Sequence, residues 1–179
     1  TTVTFPSSLA AIGQFAFYEN TALTSIDFGT ASSLVTIDKY AFMHANLTSV
    51  VIPDSVIAIG SYAFVGRQVW STSVNQFGEY HYVPSSLTSL TLGAGVVSIG
   101  DYAFAGASIT SLTLPSSVTT IGDKAFSNCT LLTSLVIQSS SITYVSEFPP
   151  QPSYPWGSSY FSSLAPITSI TLPAGSDCR

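Results

Sequence analysis

The chain has 179 residues and a formal net charge of −5, and only 7% of its residues are charged while 46% are hydrophobic. This acidic balance excludes a basic surface for phosphate backbones, so we expect no nucleic-acid binding. The apolar residues are regularly spaced, which excludes a disordered chain. There is no run of 18 apolar residues that would predict a transmembrane segment.

A short motif, Ile-Gly-x-x-Ala-Phe, recurs along the chain. Counted from its first residue and continued to Val145, the copies are 25, 22, 40, 22 and 24 residues apart. The step of 40 equals a step of 22 plus an insertion of 18 residues. A fixed period of this size predicts a solenoid in which each repeat forms one coil. The copies begin at Ile12, Ile37, Ile59, Ile99 and Ile121.

A second motif, Leu-Thr-Ser-Leu-x-Leu, accompanies the first. In its clearest copy Leu112 and Leu114 alternate with Ser111 and Thr113, which is the period of a half-buried strand. One such strand per coil predicts a parallel sheet, in which each coil buries its apolar edge on the next. The apolar triplets are Leu23/Ile26/Phe28, Leu47/Val50/Ile52, Leu87/Leu90/Leu92, Ile109/Leu112/Leu114, Leu132/Leu135/Ile137 and Ile167/Ile170/Leu172, with a partial seventh at Val3 and Phe5.

Each copy of the first motif contains a Gly and an Ala-Phe pair. The Gly predicts positive φ or a close backbone approach, and Asp38 replaces it in one copy. The Ala before each Phe predicts a short helical turn. We expect the Phe residues to form a buried core spine rather than a cofactor site: Phe17, Phe42, Phe64, Phe104 and Phe126. We expect a neighbouring column to be mainly structural: Phe15, Tyr40, Tyr62, Tyr102 and Lys124.

Two insertions interrupt the repeats, at about residues 67–85 and 147–166, and they contain both Trp residues of the chain. Insertions into a solenoid map to loops on one face, which is often the binding face. Two interpretations remain open: the aromatic side chains cover the flank of the solenoid, or they form a binding surface. The candidate binding residues are Trp70, Tyr80, Tyr82, Trp156 and Tyr160.

Residues suited to catalysis are few. The two histidines, His44 and His81, have no second His or Cys at ligand spacing, so no zinc site is predicted. No Gly-x-Ser-x-Gly motif marks a nucleophile. Asp101 and Asp123 occupy equivalent places in adjacent coils, and a solvated acidic edge is favoured there over a Ca²⁺ site, because two carboxylates are few for that ion. We therefore predict no enzyme and no cofactor.

Two kinds of covalent feature are candidates. The tripeptides that begin at Asn46 and Asn128 match the N-glycosylation sequon. Cys129 and Cys178 either form a disulfide, or are one small core residue and one free or intermolecular thiol.

The full motif, Ser-Val-x-x-Ile-Gly-x-x-Ala-Phe-x-x-Cys/Ala-x-x-Leu-Thr-Ser-Leu-x-Leu-Pro, resembles the BspA-like leucine-rich repeats. The resemblance is clearest over residues 116–137 and extends over all of the chain except the insertions. It implies a single right-handed curved solenoid of mostly β structure over residues 1–179. It also implies a surface protein of bacteria or microbial eukaryotes that acts in adhesion or protein binding, with no catalytic motif. Residues 145–148 depart from the pattern, since they lack the Gly and the Ala-Phe pair.

Neither end of the chain has the pattern of a capping repeat. We therefore expect either a fragment of a longer array or head-to-tail stacking of copies into a filament. The predicted function is a non-enzymatic structural or adhesive module, extracellular or at the cell surface, whose partners are proteins or glycans. The alternative is a carbohydrate-recognition module that uses the aromatic insertions.

Overall fold

The computed structural model describes residues 1–29, 33–66, 68–71, 79–82, 85–144 and 169–172. Successive coils contribute strands to a front layer and to a back layer. The front strands are β1 (Thr2–Thr4), β3 (Ser25–Asp27), β5 (Ser49–Val51), β9 (Ser89–Thr91), β11 (Ser111–Leu114), β13 (Ser134–Ile137) and β15 (Ser169–Thr171). The back strands are β2 (Ala11–Ile12), β4 (Thr36–Ile37), β6 (Ala58–Ile59), β10 (Ser98–Ile99), β12 (Thr120–Ile121) and β14 (Thr143–Tyr144). Coils are numbered by their back strand, so that coil 1 contains β2 and coil 5 contains β12.

The strand pairs within both layers are parallel, as predicted. The back strands form one six-stranded sheet in the order β14-β12-β10-β6-β4-β2, and the front strands form two sheets, β1-β3-β5-β9 and β11-β13-β15. The sequence predicted the front strand of each coil, and the back strand is an addition. The back strand forms because further hydrogen bonds between adjacent coils flank it, such as the bond of 2.7 Å from the Gly60 N–H to the Ile37 carbonyl.

The core lies between the two layers and consists of apolar columns. Leu112 and Leu114 are buried, while Ser111 and Thr113 between them are exposed, as the alternation predicted. The Phe spine is also confirmed. Neighbouring rings from Phe17 to Phe126 stack with centroids 5.0–5.5 Å apart and with planes 4–12° from parallel. Each coil therefore covers the aromatic and aliphatic edge of the next.

The segment around each Ala-Phe pair is a series of turns, and the described residues contain no helix. The Ala41 N–H bonds within its own coil, to a carbonyl three residues earlier, whereas the Phe42 N–H donates to the Ala63 carbonyl of the next coil at 2.8 Å. A helix directs all of its N–H groups along its own axis, so this alternation replaces the predicted short helical turns. Non-glycine residues with positive φ accompany it: Phe15, Glu19, Tyr40, His44, Tyr62, Tyr102, Lys124 and Asn128.

The Gly of the repeat permits a close approach between coils. A Cβ atom on Gly60, Gly100 or Gly122 would lie 2.3–2.5 Å from an atom of the preceding coil. Gly13, in coil 1, has no other atom within 4 Å of such a Cβ. Of the two explanations offered by the sequence, close approach is therefore the one that applies in coils 3 to 5.

Hydroxyl groups also link the coils. In several Leu-Thr-Ser motifs the Thr hydroxyl bonds to the carbonyl of its equivalent in the preceding coil. The Thr48 hydroxyl donates to the Thr24 carbonyl at 3.3 Å, the Thr88 hydroxyl to the Thr48 carbonyl at 3.2 Å, and the Thr133 hydroxyl to the Thr110 carbonyl at 3.3 Å. Ser and Thr can therefore satisfy the polar groups at the corners of the coils without charged side chains.

Candidate interaction surfaces

Three of the five predicted binding residues lie on one antiparallel hairpin, formed by β7 (Gln68–Ser71) and β8 (Glu79–Tyr82) in the first insertion. Trp70 is the register partner of Tyr80, and Tyr82 lies two residues beyond Tyr80. Residues two apart in a strand lie on the same face, so the structure brings these three aromatic residues to one face of the hairpin. Trp156 and Tyr160 lie outside the described residues.

A groove of ≈ 430 Å³ runs across the outer face of the back sheet, from coil 1 to coil 5. We call it the back groove. Its floor is formed by small residues, because the outward positions of β4, β6, β10 and β12 are Thr36, Ala58, Ser98 and Thr120, which lie in register. The glycines that follow them add no side chains. The depression is thus a consequence of the same Gly column that lets the coils approach.

The charged groups that line the back groove are Asp38, Lys39 and Asp101. Asp38 and Lys39 are exposed, with one charge of each sign. Asp101 is fully buried, and its carboxylate accepts the N–H of Asp123 in the next coil at 2.6 Å. The predicted solvated acidic edge is therefore wrong for Asp101, whose carboxylate connects two coils. The described part of the chain contains no group of three or more His, Cys, Asp or Glu residues that could hold a metal ion.

An aromatic ladder lies beside the back groove. Phe15, Tyr40, Tyr62 and Tyr102 stack with ring centroids 4.9–5.1 Å apart, and the Lys124 ammonium lies 5.6 Å from the centre of the Tyr102 ring. All five residues have positive φ. Because the ring faces cover one another, the ladder presents mainly ring edges to a partner, which agrees with the predicted structural role.

An exposed apolar stripe precedes the groove residues in three successive coils. Val35, Ile57 and Val97 are 40%, 49% and 37% exposed, and backbone bonds of 2.8 and 2.9 Å join Val35 to Ile57 and Ile57 to Val97. The stripe is flanked by Ala10 and Thr119, which are also exposed.

The front face carries hydroxyl groups and almost no charge. Its outward residues in β3, β5, β9 and β11 include Ser25, Ser49, Ser89 and Ser111 in one column. The column beside it contains Asp27, Val51, Thr91 and Thr113, of which Val51 is 60% exposed. Asp27 is thus the single charged residue of these four strands.

His44 belongs to a small surface cluster at the end of coils 1 and 2. Its Nδ1 atom lies 3.8 Å from a Glu19 carboxylate oxygen, and its ring centroid lies 5.7 Å from that of Tyr18. A hydrogen bond with the Glu19 carboxylate, followed by burial and the charge of Glu19, raises the pKa of Tyr18.

The candidate modification residues differ in accessibility. Asn46 is exposed just before β5, and its side-chain oxygen accepts a hydrogen bond from the Ser86 hydroxyl. Asn128 is half-buried with φ of 57°. Glycosylation of either remains a prediction, and Asn46 is the more accessible acceptor.

Cys129 is a free, fully buried thiol. Its Sγ atom lies 3.5 Å from the Phe104 carbonyl, and burial raises its pKa to about 12. The thiol therefore packs as a core group and stays protonated at neutral pH. Cys178 lies outside the described residues, so its pairing remains a prediction.

Comparison with known proteins identifies the repeat. The BspA type Leucine rich repeat region matches residues 1–75 and 68–149, with six copies. The chain belongs to the BspA-type leucine-rich repeat family. This confirms the resemblance found in the motifs and the mostly β, parallel solenoid that it implied. No curated protein sequence is significantly similar to this BspA-type chain.

Several solved structures are similar to this chain. The pneumococcal vaccine antigen PcpA is similar with a TM-score of 0.50 at 15% identity, over 98% of this chain and 41% of that one. A leucine-rich cell surface protein from Faecalibacterium prausnitzii matches at 19% identity and a TM-score of 0.40, over 98% and 60% of the two chains. The leucine-rich repeat protein of T. pallidum matches at 21% identity and a TM-score of 0.43, over 81% and 51%. The BspA-type chain thus spans about 60% or less of the length of these proteins.

The back groove and the apolar stripe were not predicted from the sequence. The sequence did contain an indication of the stripe, because Val35, Ile57 and Val97 each lie two residues before the inward Ile of the repeat. It was missed because a second strand in each coil was needed to place these residues in columns. Within the described residues, no helix is long and apolar enough to cross a membrane.

Proposed function

We propose that this BspA-type solenoid is a non-enzymatic module, extracellular or at the cell surface, that binds proteins through its front face. The supporting observation is the near absence of charge on β3, β5, β9 and β11, where hydroxyl columns surround the exposed Val51. Protein interfaces are depleted of charge at their centre, because desolvating a charge is costly.

The test is adhesion of the purified chain to immobilised collagen, fibronectin, laminin and fibrinogen. We expect Thr91→Arg, at the centre of the front face, to weaken binding to the protein that is recognised by about tenfold, which corresponds to about 1.4 kcal/mol. Thr119→Arg, at an exposed position beside the back sheet, is the matched control and should bind as the wild type does. Equal losses in both variants, or binding to none of the four proteins, would contradict the proposal.

Head-to-tail association of copies is a further part of the proposal. Ile170 in β15, the last described front strand, and Leu172, which follows this strand, are 58% and 40% exposed, whereas Leu135, the register partner of Ile170, is 3% exposed. At coil 1 a cavity of ≈ 200 Å³ is lined by Val3 and Phe17, among others. These surfaces belong to the same apolar columns, so stacking one copy on another would continue the core.

Sedimentation and negative-stain microscopy of the native chain test this association. We expect filaments that lengthen with concentration, and we expect Ile170→Asp to abolish them, since it places a charge in the junction. The control is Val51→Asp, which changes an exposed front-face residue away from the junction. Discrete short particles at every concentration would exclude self-assembly.

A second candidate function is carbohydrate recognition by the aromatic insertions. It is supported by the register that places Trp70, Tyr80 and Tyr82 on one hairpin face, because aromatic rings present apolar faces for stacking. Glycan-array binding that is lost in Trp70→Ala and kept in Val69→Ala, which lies on the opposite face, would support it. Unchanged array binding in Trp70→Ala would exclude this role for the hairpin.

A further inference from the structure

The back groove has dimensions and chemistry that select one kind of occupant. We propose that it binds a neutral, linear, extended polysaccharide that lies parallel to the solenoid axis. This site is separate from the front face and from the aromatic hairpin, so it goes beyond the proposed function.

The spacing of the coils is the first argument. Equivalent groups repeat along the back groove at the coil spacing, which the aromatic ladder measures as 4.9–5.1 Å. In an extended β-1,4-linked glycan each pyranose unit with its glycosidic oxygen advances by nearly the same distance, so one sugar faces each coil, with alternate sugars turned over. An extended peptide advances by about 3.4 Å per residue, so its residues do not fall one to each coil. Five coils at this spacing accommodate about four sugar units over roughly 20 Å.

The charge of the groove is the second argument. Its exposed charged groups, Asp38 and Lys39, oppose one another, and the Asp101 carboxylate is occupied by the Asp123 N–H. The groove therefore lacks the excess of cations that an anionic polymer needs and the excess of accessible carboxylates that a cationic one needs. A neutral chain of hydroxyl groups complements a site whose exposed charges balance and whose floor carries several hydroxyls.

The distribution of polar and apolar groups is the third argument. The floor carries the hydroxyls of Thr36, Ser98 and Thr120, which are suited to hydrogen bonds with sugar hydroxyls. The exposed stripe that contains Ile57 and Val97 precedes these residues and offers an apolar surface to the C–H groups of the sugar rings. Few precisely placed polar groups beside an apolar surface are typical of small-ligand sites. Shallow depth is no obstacle for a polymer that contacts all five coils.

The experiment is a titration of the ¹⁵N-labelled full chain with cellohexaose, a neutral β-1,4-linked hexasaccharide, followed by NMR. We expect shift changes at the amides of Ser98, Gly100 and Thr120, and weaker binding of maltohexaose, whose α-linkages curl the chain out of register. Ser98→Trp fills the centre of the groove and should weaken cellohexaose binding by at least about tenfold. Ser89→Trp, on the front strand of the same coil, is the matched control and should leave binding unchanged.

Several results would overturn the proposal. These are the absence of shift changes at millimolar cellohexaose, equal losses in Ser98→Trp and Ser89→Trp, or tighter binding of hexaproline or of a hexagalacturonate. Shift changes confined to residues 68–82, or binding lost in Trp70→Ala, would move the sugar site to the hairpin. Should Ser98→Trp fail to fold, Thr36→Val with Thr120→Val removes two groove hydroxyls at nearly constant volume, and unchanged binding there would count against the groove. Thr91→Arg, which lies on the front face, should bind cellohexaose as the wild type does. Failure of the front-face proposal can therefore be distinguished from failure of the groove proposal.

Discussion

The back and front layers of the solenoid are built from the same coils but differ in continuity. The back sheet joins six strands without interruption, whereas the front layer is divided between β9 and β11. No register pair joins β9 to β11, although both strands are described in full. We call this boundary the front gap. Strands β3 and β5 are also joined weakly, with a single register pair between Ser25 and Ser49.

The turn that follows β9 packs closely on coil 3. A Cβ on Gly93 would lie 2.3 Å from the Pro53 carbonyl oxygen, and one on Gly95 would lie 1.9 Å from that of Asp54. The Ala94 N–H also donates a hydrogen bond to the Asp54 carboxylate at 2.7 Å. Coil 4 therefore contacts coil 3 closely in both layers, whereas its strands pair with those of coil 5 in the back layer alone. The back sheet thus connects all of its coils, while the front layer is divided between coils 4 and 5.

The largest effect is expected from closing the space between coils in the back layer. Gly100→Ala places a methyl group 2.5 Å from the backbone nitrogen of Ser61, which rigid neighbours cannot accommodate. We expect it to lower the free energy of unfolding by about 3 kcal/mol, measured by urea denaturation. The matched control is Gly13→Ala, which meets no atom within 4 Å and should change stability by less than about 0.5 kcal/mol. Equal effects would mean that the close approach in the back layer does not limit stability.

Hydrogen exchange tests the front gap directly. Ser89 donates its N–H to the Thr48 carbonyl on the β5 side, so the next N–H, of Leu90, faces β11, with which β9 has no register pair. We expect the Leu90 amide to exchange at least about 100-fold faster than the Leu135 amide, which lies inside the intact sheet β11-β13-β15. The Gly100 amide, bonded to Ile59 at 2.8 Å, should be as protected as that of Leu135. Similar rates for Leu90 and Leu135 would show that the front layer is continuous in solution.

The sequence predicted the features that depend on side-chain periodicity. Alternation of apolar and polar residues located Leu112 and Leu114 in the core, and the five-fold recurrence of Phe predicted the stacked spine. Such features follow from the burial of apolar side chains, because the free energy gained by burial is large and the pattern repeats in every coil.

Features that depend on backbone conformation or on relations between coils were not predicted. Positive φ at Tyr40 and Tyr62 is disfavoured for Tyr, and it persists because both N–H groups bond to the next coil. The back strands contain two residues each, too few for a periodic pattern. The front gap is a relation between coils 4 and 5, which a local motif does not contain. The back groove was missed for the same reason.

A smaller effect is expected at a front-side turn, where glycine is needed for conformation rather than for space. Gly29, just after β3, has φ of +71°, and a Cβ there would lie 3.9 Å from the nearest atom, which is ordinary contact. Gly29→Ala should lower stability by about 1 kcal/mol, because the left-handed region is strained for alanine. Gly29→Asn is the control and should lose less, since asparagine tolerates this region. A loss as large as that of Gly100→Ala would contradict the contrast between the layers.

The smallest effect is expected for a hydroxyl link between coils on the front side. Thr88→Val removes the hydroxyl that donates to the Thr48 carbonyl at 3.2 Å while keeping a similar volume. Both groups are exposed, so water replaces the lost bond, and thermal unfolding should show a loss of about 0.5 kcal/mol. Thr91→Val, three residues further along and exposed on the front face, is the control for the change in β propensity alone. A loss above about 1.5 kcal/mol at Thr88 would mean that hydroxyl links contribute most of the stability of the front layer. The division of the front sheet after β9 would then have little effect on stability.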